Sequence, residues 1–173
     1  MAPRIDQVAT ILVIGRYNSL HMQNIRIEPT DPAGAEAREL IAQLDAFHIA
    51  LYPAESNHLL SVESLRQPHV TFLMATVDDQ AAAIGAFVNQ GEYAEIKRMY
   101  VLPTFRGRKL GRRMLEEIET RIRAAGLSLA RLETGIHQTE ALRLYETAGY
   151  RRREPFGEYV PDSLSVFMEK RLA

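Results

Sequence analysis

The residues whose types and spacing most directly imply chemistry are Arg106-Gly107-Arg108-Lys109-Leu110-Gly111, with Arg112 and Arg113 following at once. Glycines in such a loop let backbone N–H groups approach a ligand closely. If a helix starts here, its dipole adds partial positive charge, and the combination suits a phosphate. Neither Gly-x-Gly-x-x-Gly nor Gly-x-x-x-x-Gly-Lys-Ser/Thr fits these letters, which sets aside dinucleotide and Walker-type nucleotide sites. The chain has no cysteine, so it offers no disulfide framework, thiolate nucleophile or thiolate zinc site. Its five histidines are scattered without paired ligand spacing, and no metal is expected. The net charge of −1 argues against a broad nucleic-acid or anionic-membrane surface, leaving the positive charge of this loop as a local feature.

The elements that must position the loop can be read around it. Before it, Tyr93 to Val101 is rich in β-branched and aromatic residues and runs into Pro103, so a strand ends near Leu102. After it, Leu110, Met114, Leu115, Ile118, Ile122 and Ala125 mark one face of an amphipathic helix, and Gly126 supplies the left-handed residue that commonly closes one. Leu127 to Glu133 reads as a further strand, parallel to the first because the helix is its crossover.

Upstream, Ile25 and Ile27 alternate with polar residues as in a half-buried strand, and Asp31-Pro32 signals a helix with proline at its first position. The apolar stripe of that helix is Leu40, Ile41, Leu44, Phe47, His48 and Leu51, ending before Pro53. An irregular polar segment, Tyr52 to His58, leads to a short helix from Ser61. Val70 to Val77 and Ala81 to Asn89, joined through Asp78-Asp79-Gln80, form a hairpin feeding the Tyr93 strand. Near the end, Ala141, Leu144, Tyr145 and Ala148 recur at helical spacing before Gly149, and a last strand lies near Ser163 to Lys170. At 173 residues, 46% hydrophobic and 25% charged, this is the size and balance of one soluble domain. Residues 1–24 stand apart as an extension with no assigned role, residues 25–173 forming the domain. The run Val8 to Gly15 is too short to span a membrane, so a cytoplasmic protein is expected.

The loop, preceded by a strand ending in Val101-Leu102-Pro103 and followed by a helix, resembles the Arg/Gln-x-x-Gly-x-Gly/Ala signature of the GNAT superfamily of acetyl-CoA-dependent N-acetyltransferases. Arg106 and Gly111 match it, while Lys109 stands where glycine is most usual. A second stretch, Gln138 to Tyr150, is similar to the family's Asn-x-x-Ala-x-x-Leu-Tyr-x-x-x-Gly-Phe, with Gln138 in place of asparagine. The resemblance extends over Ile25 to Leu172. It implies a mixed α/β GNAT fold: a mostly antiparallel central sheet with one parallel βαβ pair, flanked by helices.

The same resemblance implies acetyl transfer from acetyl-CoA to a primary amine, without a metal. Backbone groups of Met99, Tyr100 and Val101 are then expected along the pantetheine arm. The backbone from Arg106 through Gly107, Arg108, Lys109 and Leu110 to Gly111 is expected around the pyrophosphate, with Arg108, Lys109 and Arg112 as outer partners and Gln138 as a further contact. An amine is mostly protonated at neutral pH, so a base must act before attack. Glu95, eleven positions before Arg106, resembles the glutamate used as base in some members. Tyr145 is expected near the CoA sulfur, where a phenol can protonate the departing thiolate. His48 and His58 are further acid–base candidates because imidazole titrates near working pH.

The acceptor is expected to meet the segment holding Tyr52, Glu55 and His58, together with Tyr93, Phe156 and Tyr159. This wall of aromatic rings and carboxylates suits a small amine-bearing molecule and would also admit a protein or peptide amine. No residue suits a covalent acyl intermediate, so direct attack in a ternary complex is expected. The rival from another class is a non-catalytic acyl-CoA-sensing module, and a homodimer through the closing strands is compatible with either reading.

Overall fold

The computed structural model describes residues 24–53 and 59–173. Its strands are β1 (Ile25–Pro29), β2 (Val70–Val77), β3 (Gln80–Asn89), β4 (Ala94–Val101), β5 (Leu129–Gly135), β6 (Arg151–Arg153) and β7 (Ser165–Arg171), and its helices are α1 (Ala35–Leu51), α2 (Val62–Leu65), α3 (Leu110–Ala124) and α4 (Thr139–Thr147). They build one sheet in the order β1-β2-β3-β4-β5-β7-β6. Every neighbouring pair is antiparallel except β4 and β5, which the α3 crossover makes parallel. This is the mixed α/β GNAT arrangement.

Helices cover both faces. On one, Met114, Leu115, Ile118 and Ile122 of α3 are fully buried against Leu73, Ala83, Ile96 and Leu132 of the sheet. Burying each of these large side chains contributes about 1.5–3 kcal/mol. The outer face of α3 is solvated, with i,i+4 ion pairs Arg112–Glu116 and Arg121–Glu117, each at 2.8 Å. On the other face Ala37, Leu40, Ile41 and Leu44 of α1 pack with Leu65, Phe72, Ile84 and Tyr100. Among the described residues no helix is long and apolar enough to cross a membrane.

Two sequence expectations are corrected and one element is new. The Asp31-Pro32 pair makes a turn rather than the first turn of a helix: Asp31 Oδ1 accepts the Ala33 N–H at 3.0 Å and Asp31 O accepts the Gly34 N–H at 3.0 Å. Helix α1 therefore opens at Ala35. Its stripe also ends early, Phe47 and Leu51 being exposed. Finally, Arg151–Arg153 forms a short edge strand on β7, which a run of three cations does not suggest.

One irregularity shapes the site. Ile84 opposes Tyr100 and Ala86 opposes Lys97, so Arg98 and Met99 together face Gly85 across a β-bulge. Arg98 takes φ 59°, and a Cβ on Gly85 would stand only 2.9 Å from Met99 Sδ and 2.8 Å from Ile118 Cδ1. The bulge fits because residue 85 is glycine. Beyond it the parallel pair opens: β4 and β5 are in register over Ala94–Ile96 and Ala130–Leu132, and then β4 continues beside β3 while β5 continues beside β7.

Candidate active site

Where β4 and β5 part, the backbone of β4 beyond Ile96 loses its β5 neighbour, and a groove of about 840 Å³ runs along Met99 to Val101 between the start of α3 and helix α4. Its wall includes Met99, Tyr100, Val101, Arg106, Gly107, Lys109, Leu110, Gly111, Arg112, Gln138 and Tyr145. Of the residues that the sequence assigns to the cofactor, only Arg108 lies off it, with its guanidinium 5.2 Å above the Phe105 ring.

The loop turns through two left-handed residues, Gly107 at φ 77° and Lys109 at φ 60°, ψ 16°. That backbone shape is the physical reason glycine suits position 109, since a Cβ crowds the following carbonyl in this region. Lys109 is the N-cap of α3 and makes no side-chain capping hydrogen bond. The first N–H groups of α3 thus take no side-chain cap and face the groove at the positive end of the helix, a geometry fitted to phosphate. Arg106 directs its Nε to Val101 O at 3.2 Å, bracing the loop against the strand end.

A second, smaller cleft of about 60 Å³ meets the groove at Leu44, Met99, Gln138 and Tyr145. Tyr145 is 5% exposed, edge-on to Tyr150 at 5.7 Å. Burial, and then the negative charge of Glu133, push its phenol above the ordinary range, so it stays protonated at neutral pH. The cleft is also lined by His48, Tyr52, Lys97, Arg98 and Glu133. Gln138 Nε2 stands 3.5 Å from His48 Nε2. Burial and then the Arg98 cation lower the His48 pKa, with Asp45 opposing, and the imidazole is neutral at pH 7. Tyr52 stacks on His137 at 5.8 Å, and its phenol oxygen accepts the His137 N–H at 3.1 Å.

The remaining expectations sort by place. Glu95, 6% exposed, is beside the cleft and not in its wall. Its Oε1 accepts from the Tyr159 phenol at 2.6 Å and pairs with Lys97 Nζ at 2.9 Å, and Lys97 also reaches the Tyr159 oxygen. Arg98 instead ties Asp45 of α1 and the Leu60 carbonyl to the bulge. Phe156 packs edge-on against Tyr93 and Tyr159, and Phe156 and Tyr159 both meet Phe167, with the Arg131 guanidinium 4.3 Å above Tyr93, and none of these residues lines the groove or the cleft. Glu55 and His58 fall outside the described residues.

Sequence reasoning missed Glu133, and it did not place Lys97 and Arg98 together on the cleft wall. Consecutive strand residues normally face opposite ways, and only the bulge brings Lys97 and Arg98 to one cleft. For Glu133 the available signal was weak: a single carboxylate in a strand that also carries Arg131 and Thr134.

The chain matches the acetyltransferase (GNAT) family over residues 37–150. It is 46% identical over 153 residues to an IAA acetyltransferase of Azospirillum brasilense, covering 87% of this chain and all of that one. A solved structure from Klebsiella pneumoniae, described as an acyl-CoA N-acyltransferase, is 37% identical, superposes with a TM-score of 0.73 and covers 86% of this chain and 98% of its own. The PaiA N-acetyltransferase of Thermoplasma acidophilum, solved in complex with coenzyme A, shares the fold at 18% identity with a TM-score of 0.64, over 86% and 99% of the two chains. With this sequence match behind the groove, the parted strands and the uncapped loop, the chain belongs to the GNAT family of acetyltransferases and is an acyltransferase that uses acetyl-CoA.

Proposed function

We propose that this enzyme acetylates a primary amine of a small molecule, by direct attack of the amine on the bound thioester. The observation that carries the reading is the junction of the two cavities at Tyr145: a long groove fitted to a phosphate-bearing cofactor and a small cleft of mixed polar and apolar lining share that residue. The cleft volume suits an amine head on a small molecule, and the relative from Azospirillum is named for activity on IAA, a small molecule.

In this reading the backbone of Met99 to Val101 binds the pantetheine arm, and the Gly107 to Gly111 loop with the start of α3 binds the pyrophosphate. Acetyl-CoA supplies an activated acyl group. Tyr145 gives its phenolic proton to the departing sulfur. Glu95, held by Lys97 and Tyr159, reaches an amine in the cleft only through Lys97 or an intervening water, so its part includes fixing Lys97 in the cleft wall.

Calorimetric titration with acetyl-CoA, CoA and ATP, followed by an amine screen read by CoA release, tests the proposal. Binding of both CoA species but not ATP, with turnover of small amines in preference to lysine-containing peptides, is the expected result. Failure to bind acetyl-CoA, or turnover of peptides alone, would refute it.

A further inference from the structure

Two ion pairs give the small cleft a sign. Lys97 and Arg98 both stand in its wall, whereas Glu95 and Asp45, the carboxylates that pair with them, do not. Each pair therefore turns its positive end toward the cleft. The Lys97 side chain is 14% exposed, with Nζ 2.9 Å from Glu95 Oε1 and in contact with the Tyr159 oxygen. An ammonium carries three N–H donors, and these two partners leave one for the cleft. The Arg98 side chain is 4% exposed: its terminal nitrogens go to Asp45 and the Leu60 carbonyl, and Nε is buried with no acceptor among the described residues. On the opposite wall Glu133 is engaged by the Ser165 hydroxyl at 2.7 Å. The β4 side of the cleft thus holds positive charge and donors in excess of acceptors. Met99 and Tyr145 line both cavities, whereas Lys97 and Arg98 line the cleft alone, so this positive end lies away from the cofactor groove.

We propose that Lys97 binds a carboxylate of the acceptor, and that the substrates are small amino acids held with the carboxylate on Lys97 and the amine toward the thioester at Met99 and Tyr145. The assignment rests on the reading of the cleft as the amine site and narrows its substrate class. Lys97 and Met99 are two positions apart on β4, less than about 7 Å along a strand, a gap bridged by a molecule whose amine and carboxylate share one carbon. Glu95 and Tyr159 hold the ammonium in place before a ligand arrives, which lowers the ordering cost of binding. Leu44, Leu59, Ile96 and Leu164 supply apolar lining, so an uncharged side chain is favoured.

The test uses two matched pairs, alanine with ethylamine and leucine with 3-methylbutylamine, each amine being the amino acid without its carboxylate. The ratio of kcat/KM within a pair is measured for the native enzyme and for Lys97→Gln, with acetyl-CoA affinity followed calorimetrically. The native enzyme is expected to turn over the amino acids, and 4-methylpentanoate, which is leucine without its amine, to inhibit competitively against leucine and not against acetyl-CoA. Loss of a hydrogen bond to a charged group lowers the ratio of amino acid to amine by about 10- to 100-fold in Lys97→Gln. Acid–base differences between the two members of a pair cancel when that ratio is compared between the two proteins, and a general disturbance of the cleft slows both members and leaves the ratio unmoved. An unmoved ratio, turnover of the amines with none of the amino acids, or no inhibition by 4-methylpentanoate overturns the carboxylate site and leaves the amine cleft standing. Where Lys97→Gln does not bind acetyl-CoA, the inhibition of the native enzyme by 4-methylpentanoate decides alone. Acetyl-CoA binding by the native enzyme with turnover of none of the four compounds would instead overturn the reading of the cleft on which the assignment rests.

Discussion

Gly135→Ala should be among the more damaging single-methyl changes in the molecule. A Cβ at position 135 would lie 2.1 Å from the Tyr52 phenol oxygen and 2.2 Å from its ring carbon Cζ. To restore ordinary contact at 3.4 Å the ring has to withdraw by about 1.3 Å. Tyr52 is nearly fully buried, so it cannot swing into solvent without surrendering its stacking on His137 and the hydrogen bond from the His137 N–H. Overpacking of this kind costs about 1–3 kcal/mol, and losing the hydrogen bond about 1 kcal/mol more. A total of about 2–4 kcal/mol corresponds to roughly 4–16 °C in Tm for a domain of this size. Urea unfolding of the native protein, Gly135→Ala, Tyr52→Leu and the double variant measures it. Because the clash disappears with the ring, the double variant should be more stable than the sum of the single costs implies, by at least about 1 kcal/mol. Additive costs, or a Gly135→Ala protein within about 0.5 kcal/mol of native, would refute the contact. Neither residue lines the long groove, so acetyl-CoA affinity should change little while the KM for the acceptor rises.

Other perturbations have equally definite signs. Lys109→Gly relieves a left-handed residue and should stabilise the protein by about 0.5–1 kcal/mol in urea unfolding, after the larger chain entropy of glycine is counted. Tyr145→Phe should lower kcat about 10²-fold or more while leaving acetyl-CoA affinity within about threefold, read by steady-state kinetics and calorimetry. Gly107→Asp places a side chain at φ 77° and a negative charge beside the expected pyrophosphate, and should abolish acetyl-CoA binding. His48 is lowered in the fold relative to 6.5, so the unfolded chain takes up its proton first as pH falls. Stability contributed by neutral His48 is present above pH 6.5 and is lost as pH falls from there toward the folded-state pKa, a dependence that unfolding curves should find missing in His48→Gln.

The elements with strong periodicity, and the loop between two of them, were legible from residue order. Leu110 to Ile122 could only bury one face of a helix, and the β4-α3-β5 order with its crossover length made the parallel pair follow. The Arg106 to Gly111 loop and the helix around Tyr145 carry enough specific residues to resemble the family on their own, and the structure lays nearly all of them along one groove. Asp31-Pro32 misled because local turn chemistry serves an Asx turn as readily as a helix cap, and only the packing of Ala37, Leu40 and Ile41 on the sheet decides where α1 begins. The acceptor side was decided by tertiary structure alone. A bulge opposite Gly85 turns Lys97 and Arg98 toward one cleft, the parting of β4 and β5 opens that cleft at Glu133, and Glu95 is held beside it by Lys97 and Tyr159. The bulge and the opening depend on which strands lie side by side and where their register breaks, and that information is distributed over residues far apart in the chain.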